Sequence, residues 1–566
     1  MSSQVINALR RLGILAALLG IIGTLAGTPA VAESYTPIAG AGSTWAENAV
    51  DEWRRAVNQY GMRISYAGQG SSDGRRQFLS GTVDFAVSDI PFQTNPTDGS
   101  AAERPAKGSY AYMPIVAGGT VFMYHLTVNG KRVTNLRLSG DVVTKIFTGV
   151  VKTWDDPVIK ADNPGLQLPH RTIVPVVRSD GSGSTAQFTM WMVNQHRALW
   201  NAYCAKVGRA GSCGQTSYYP TVSGMIAQSG DLGVAGYVAQ NYGEGAIGYV
   251  NYSYARNAHY PVAKVLNHAG YYTEPTPQNV AVSLLKARIN TDKSSADYLT
   301  QQLDGVYNDS DRRNYPLSSY SYMILPLKVQ GTFTKEKGKT LGAFSYYFMC
   351  QGQQQAPKLG YSPLPINLVR AGFDQIRRIP GVQAQNINIK NCNNPTFTAS
   401  GQNRLAQTAP YPAACDKKGA APCTTGSGGA TTSSGNGSGS GGSSGGSTGS
   451  TGTGASTGGG SGTAGGNSAQ PSVDPDTGQT ISPDGSTASA AGGTGAGAGG
   501  TVALAQPVAV ATGHGWTGTQ TLMLLAAVLV FGLLLLPSLV SRLVGSRAAG
   551  DQNGNGNGRS EDGGSR

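Results

Sequence analysis

An α/β fold is predicted by one pattern that occurs three times in the first half of the chain: a short apolar strand, a Gly/Ser/Thr turn, then a helix. The first unit is "PIAGAGSTWAENAVDEWRRAVNQYG", from Pro37. Its apolar positions Ala46, Ala49, Val50, Trp53, Val57 and Tyr60 recur at helical spacing. Thr44 with Glu47 three residues on reads as a capping box, and Gly61 as the stop. The second unit, "RISYAGQGSSDGRRQFLSG", repeats the order with Ser71-Ser72 at the turn. After it, "TVDFAVSDIPF" reads as a buried strand ending in Ser88-Asp89. The third unit feeds strand "TIVPVV" into "RSDGSGST", Arg178 to Thr185, ahead of an apolar helix.

Composition limits how much of the 566 residues can fold. From Thr424 to Ser472 there is no charge, no aromatic and no aliphatic side chain larger than alanine. Such a segment buries too little apolar surface to offset chain entropy, so it reads as a flexible Gly/Ser/Thr linker. The globular part is expected from about Ser34 to Cys423. At the N-terminus Arg10 and Arg11 precede an apolar run and Ala30-Val31-Ala32, the pattern of a secretory signal cleaved after Ala32. Near the C-terminus Leu522–Val540 holds 19 uncharged residues. At 1.5 Å each they span roughly 28 Å, close to the hydrocarbon core of a bilayer. Arg542 and Arg547 follow, placing the tail inside. The expected organisation is a signal peptide over 1–32, a binding domain over 33–416, a disordered linker over 417–520, a transmembrane helix over 521–541 and a short cytoplasmic tail over 542–566.

The net charge of +12 is scattered, with no run of five basic residues. Together with export, this argues against a nucleic-acid partner. Six cysteines in an exported chain suggest disulfides. Many connectivities are open to six cysteines. Spacing favours Cys204–Cys213 and Cys415–Cys423 as local loops, with Cys350–Cys392 as the longer closure. No pair has C-x-x-C spacing, so neither a zinc site nor any cofactor is expected.

The glycine turns gather hydroxyls, backbone amides and one arginine at helix mouths. Unpartnered N–H groups and the positive end of the helix dipole suit a dehydrated anion there. In α/β folds ligands bind beyond the carboxyl ends of the strands, where these turns fall. Gly70-Ser71-Ser72-Asp73-Gly74 also matches the G-x-S-x-G nucleophile elbow. A serine hydrolase would need a histidine base, and none of His125, His170, His196, His259 and His268 sits in a distinctive context.

The segments "GAGSTW", "YAGQGSSDGRRQFLSGTVDFAVSDIPF", "GVVKTWDDPVI", "NPGLQLPHRTIVPVVRSDGSGST" and "GAIGYVNYSYA" together resemble the phosphate-binding receptor (PstS) family of the high-affinity phosphate ABC transporter, with gaps, from about Ile38 to Pro380. The resemblance implies a type 2 periplasmic-binding-protein fold, a two-lobed clamshell. Lobe 1 would span 33–116 and 255–416, and lobe 2 would span 117–254. Crossing strands near "PIVAGGTVFMYHL" and "GAIGYVNYSYA" would form the hinge. Carried over by position, the family's ligand contacts fall on Thr44, Trp45 (through its backbone), Ser71, Asp89, Arg178, Ser182, Gly183 and Ser184, with Asp180 held against the arginine. Asp73 stands where the family commonly has glycine. The implied function is capture of inorganic phosphate and delivery to the permease subunits of an ABC transporter, with no enzymatic step. A surface adhesion protein reusing the clamshell is the reading from a different class.

Overall fold

The computed structural model describes residues 34–209, 213–392, 394–398 and 400–428, and the backbone of a short antiparallel pair, Ser472–Val473 with Thr480–Ile481. That pair falls within the span read as linker. The signal peptide, the linker beyond residue 428 apart from that pair, the membrane span and the tail lie outside the described residues. Among the described residues no helix is long and apolar enough to cross a membrane.

The three predicted units form. Strand β1 (Ile38–Gly42) leads to helix α1 (Glu47–Asn58), β2 (Ile64–Gly68) to α2 (Ser71–Leu79), and β3 (Phe85–Ser88) follows. Strand β1 lies between β2 and β3, parallel to both. The long strand β4 (Tyr110–Tyr124) is buried along all of its 15 residues. Further on come β5 (Val174–Arg178) with α3 (Gly183–Gln195), β6 (Ile226–Gln228) with α4 (Gly230–Ala239), then β7 (Ala246–Asn251), β8 (Val262–Leu266) and β9 (Ser318–Pro326). The strands join in the order β2-β1-β3-β9-β4-β7-β5-β6 within one eleven-stranded sheet.

Two cores meet on β4. Tyr110 and Tyr112 to Ala117 pack with Trp45, Trp53, Phe85 and Tyr322 in the first, and Val121 to Tyr124 pack with Phe147, Phe188, Trp191 and Tyr249 in the second. Between them, Gly118 and Gly119 let other segments press onto the strand. A Cβ at Gly119 would lie 2.3 Å from Pro275, and one at Gly118 would lie 2.9 Å from the Trp45 ring. Strand β4 is therefore the crossing expected near "PIVAGGTVFMYHL". Strand β7 does not cross: it pairs with β4 and β5 inside the second core. Nor does that core end at Tyr254, because β8 also pairs with β4 and carries Val262, Ala263 and Val265 into it. The return passage lies at the start of β9, where Tyr315 and Leu317 belong to the second core and Tyr320 and Tyr322 to the first.

The register of β9 against β4 shifts between Ser321 and Tyr322, which pair with Val116 and Pro114 and leave Ile115 as the extra residue. Pro114 has no N–H to give the ladder, a common setting for a bulge.

All three disulfides form: Cys204–Cys213, Cys350–Cys392 and Cys415–Cys423. The packed chain runs past the linker start expected at 417. Lys264 pairs with Asp416 at 2.8 Å, and the buried Arg137 donates to the Cys415 and Ala420 carbonyls. The Ser427 amide bonds the Thr134 carbonyl. Composition placed the end of the globular part near Cys423, and packing carries it on to Ser427. The stretch has too few apolar residues to advertise a core, and it is held through backbone groups and a disulfide.

Candidate functional site

Four helix mouths converge where the first core's turns face the second's. The turn after β1 presents Ser43 and Thr44, and α2 opens at Ser71 behind Gly70, whose φ of 94° a side chain would strain. The strand end after β3 presents Asp89. From the second core, β5 delivers Arg178 and the loop to α3 supplies Asp180, Ser182, Gly183 and Ser184. The fourth mouth is that of α4, with Asp231. Thr44, Ser71, Asp89, Arg178, Ser182, Ser184 and Asp231 are all buried.

The expected residues do come together. A Cβ on Gly183 would sit 2.3 Å from Asp89 Oδ2 and 2.4 Å from Ser71 Oγ, so the third mouth rests directly on the second. The Ser72 amide donates to the Gly181 carbonyl at 2.9 Å, and Gln187 Nε2 to the Asp89 carbonyl at 2.8 Å. Arg178 is gripped from two sides: its Nε donates to Asp180 Oδ1 at 2.8 Å, and its outer nitrogens reach Asp180 Oδ2, Asp231 Oδ2 and Thr44 Oγ1. Burial works against the guanidinium charge, but Asp231 and Asp180 outweigh it and raise the pKa, so Arg178 is a fixed cation.

One expectation changes in detail. Thr44 does not cap α1. Its hydroxyl donates to Asp231 Oδ2 at 2.6 Å, and the cap position is Ala46, without a side-chain bond. The charged pair across the cleft is a stronger partner than a backbone amide. Ser182 does cap its helix, accepting from the Thr185 amide at 3.1 Å. The Trp45 ring is core, with Nε1 on Thr120 Oγ1 at 3.1 Å and an edge on Tyr361. By contrast the buried Ser184 hydroxyl has no hydrogen-bond partner among the described residues, as a group awaiting a ligand would.

Asp89 is buried among hydroxyl donors. Its carboxylate accepts from Ser43 Oγ at 2.8 Å and 2.9 Å, from Ser71 Oγ at 3.2 Å, and from Ser321 Oγ. Burial raises its pKa above the usual carboxylate range, and these three hydroxyls pull it back. Glu47 stands at the first position of α1 with Tyr254 Oη at 3.4 Å from its carboxylate. Burial, then Asp51 and Asp231, push it up to about 7. The Asp73 charge is taken up by Arg76 and Gln77. Ser72, the elbow serine, accepts from Arg75 at 3.3 Å, and among the described residues no histidine bonds it.

Sequence reasoning missed Ser43, Asp231 and Ser321. Ser43 lies beside Thr44 in the same hydroxyl run. "MIAQSGDLGVAGYVA" is a fourth strand–turn–helix unit that the same pattern could have found. Ser321 lies mid-strand and carries no local signal.

The model of a family described as the PBP superfamily domain matches residues 27–351, more than half of the chain. The phosphate-binding protein PstS of Xylella fastidiosa (strain Temecula1) is 31% identical over 346 residues, which cover 61% of this chain and 86% of that protein. The chain belongs to the PstS family. A PstS of Methanocaldococcus jannaschii is 28% identical over 353 residues, covering 60% of this chain and 85% of its own. A solved structure described as a high-affinity periplasmic phosphate-binding protein (PfluDING) bound with phosphate matches 62% of this chain and 100% of its own, at 18% identity and a TM-score of 0.46. The α/β periplasmic-binding-protein fold of the PstS family accounts for the two cores joined through β4 and for helix mouths facing one another. Cys392 and the Cys415–Cys423 loop lie beyond the stretch that the family model matches.

Proposed function

We propose that this chain captures inorganic phosphate outside the cytoplasmic membrane and hands it to the permease of an ABC transporter. The observation that carries this is the buried Asp89 among donors. A carboxylate repels an anion unless the anion brings a proton to share. Dibasic phosphate does, and sulfate at neutral pH does not. Facing phosphate, Asp89 accepts its O–H; facing sulfate, acceptor meets acceptor, and buried groups left unpaired cost several kcal/mol. Thr44, the Trp45 amide, Ser71, Ser182, Gly183 and Ser184 supply the remaining donors, and Arg178 the positive charge. Asp180 and Asp231 hold that charge in place. No step needs a covalent intermediate. The reading extends to a receptor tethered by a C-terminal membrane helix.

Isothermal titration tests the binding step. Inorganic phosphate should bind one to one, with sulfate at least a hundredfold weaker at pH 7.5. Equal affinities, or no heat with phosphate, would refute it.

A further inference from the structure

We infer that Ser321, with Ser43, determines specificity at this site by keeping Asp89 an acceptor only, so that the carboxylate can take a proton from phosphate and has none to offer sulfate. The inference rests on the phosphate reading above and adds residues to it.

The geometry gives the network a direction. Ser43 Oγ accepts from the Ala46 amide at 3.3 Å and Ser71 Oγ from the Asp89 amide at 3.2 Å. An amide can only donate, so each hydroxyl proton is turned toward Asp89. Ser321 approaches the same carboxylate from β9, across 232 residues of sequence. Its backbone position is set by the bulge opposite Pro114 and Ile115. All four side chains are buried, so water does not compensate for a lost donor.

The charges around Asp89 cannot do this work. Asp231 on α4 raises its pKa further, and the phenols of Tyr66 on β2 and Tyr361 are neutral neighbours. Arg75 on α2 donates to Ser88 and pairs with Glu103, and Arg178 is engaged by Asp180 and Asp231. Hydroxyl donors are what oppose burial here. When ligand enters, Ser71 is the expected contact and turns to it, vacating one place on Oδ2 for the phosphate proton, while Ser43 still reaches that oxygen at 2.9 Å. Ser43 and Ser321 remain on the carboxylate. Without them a protonated Asp89 would donate to sulfate as readily as a serine does.

Sulfate affinity as a function of pH is the readout, since sulfate does not change protonation between pH 5 and 8. In wild type, sulfate binding should appear only on acidification. Ser321→Ala should move that onset upward by about one pH unit, which is about tenfold tighter sulfate binding at a fixed pH on the rising limb. Ser43→Ala should move it the same way, and Ser321→Thr should restore the wild-type profile. Because Glu47 titrates in this range, the same shift should persist in a Glu47→Gln background. An unchanged onset in both alanine variants, with phosphate still bound, overturns the inference and leaves the phosphate reading standing. A wild type that binds no phosphate overturns both.

Discussion

Replacing Glu47 with glutamine should stabilise the protein at neutral pH and hardly at all in acid. The Glu47 carboxyl closes against the backbone of Gly68, where a Cβ would meet it at 2.2 Å, and among the described residues its one close donor is Tyr254 Oη at 3.4 Å. The α1 dipole favours the anion, but burial, with Asp51 and Asp231 nearby, wins and moves the pKa from 4.5 to about 7. At about 1.4 kcal/mol for each tenfold change in proton affinity, holding the anion in the fold costs about 3 kcal/mol. The sign follows from linkage. Below pH 4.5 the group is neutral in both states and costs nothing. Between 4.5 and 7 the unfolded chain ionises first, so stability falls as pH rises, and above 7 the cost is complete. Glutamine keeps the oxygen that accepts from Tyr254 and removes the charge. With unfolding entropy of about 2.1 cal/mol/K per residue over roughly 390 residues, the gain is about 4 °C in Tm. Thermal unfolding of wild type and Glu47→Gln without ligand, at pH 8 and at pH 4.5, measures it. An equal change in Tm at both pH values, or a loss at pH 8, would show that Glu47 is not a buried, costly anion.

Gly183→Ala should weaken phosphate by more than tenfold, because the new methyl would lie 2.3 Å from Asp89 Oδ2; titration showing a change within twofold would refute the close approach of the two mouths. Asp89→Asn should still bind phosphate, with affinity altered by less than about 1.5 kcal/mol, the net scale of one hydrogen bond. The same variant should bind sulfate better, since an amide donates, and unchanged rejection in competition binding would count against proton reading. Alkylation of the denatured, unreduced protein should label none of Cys204, Cys213, Cys350, Cys392, Cys415 and Cys423, all of which are disulfide-bonded; mass spectrometry finding two labels would contradict this. The full-length chain should stay with membranes in high salt and leave only with detergent, and its recovery in the salt wash would remove the anchor.

What the sequence determined by itself is local. Strand, glycine turn and helix follow one another within about 25 residues in the β1–α1 and β2–α2 units. Their periodicity and their Gly/Ser/Thr turns are visible without any partner. For the same reason Thr44, Ser71, Asp89, Arg178 and Gly183 could be placed at helix mouths and strand ends before any fold was known. The tertiary structure decided what those groups meet. Thr44 reads as a helix cap in sequence because Glu47 stands three residues away, yet its hydroxyl goes to Asp231, 187 residues on, where a carboxylate beside Arg178 is the stronger acceptor. Ser321 is one of three serines in its strand, with nothing to set it apart, until β9 pairs with β3 and β4 and brings it to Asp89. The end of the folded chain was legible in part: composition ended the globular part at Cys423 while the linker was begun at 417. Residues 417–428 are held by contacts distant in sequence, among them the Ala420 carbonyl on Arg137, the Cys423 carbonyl on Asn135 and Ser427 on Thr134 and Val262. Periodicity is written within one segment, whereas a donor's acceptor is chosen by chain crossings hundreds of residues apart.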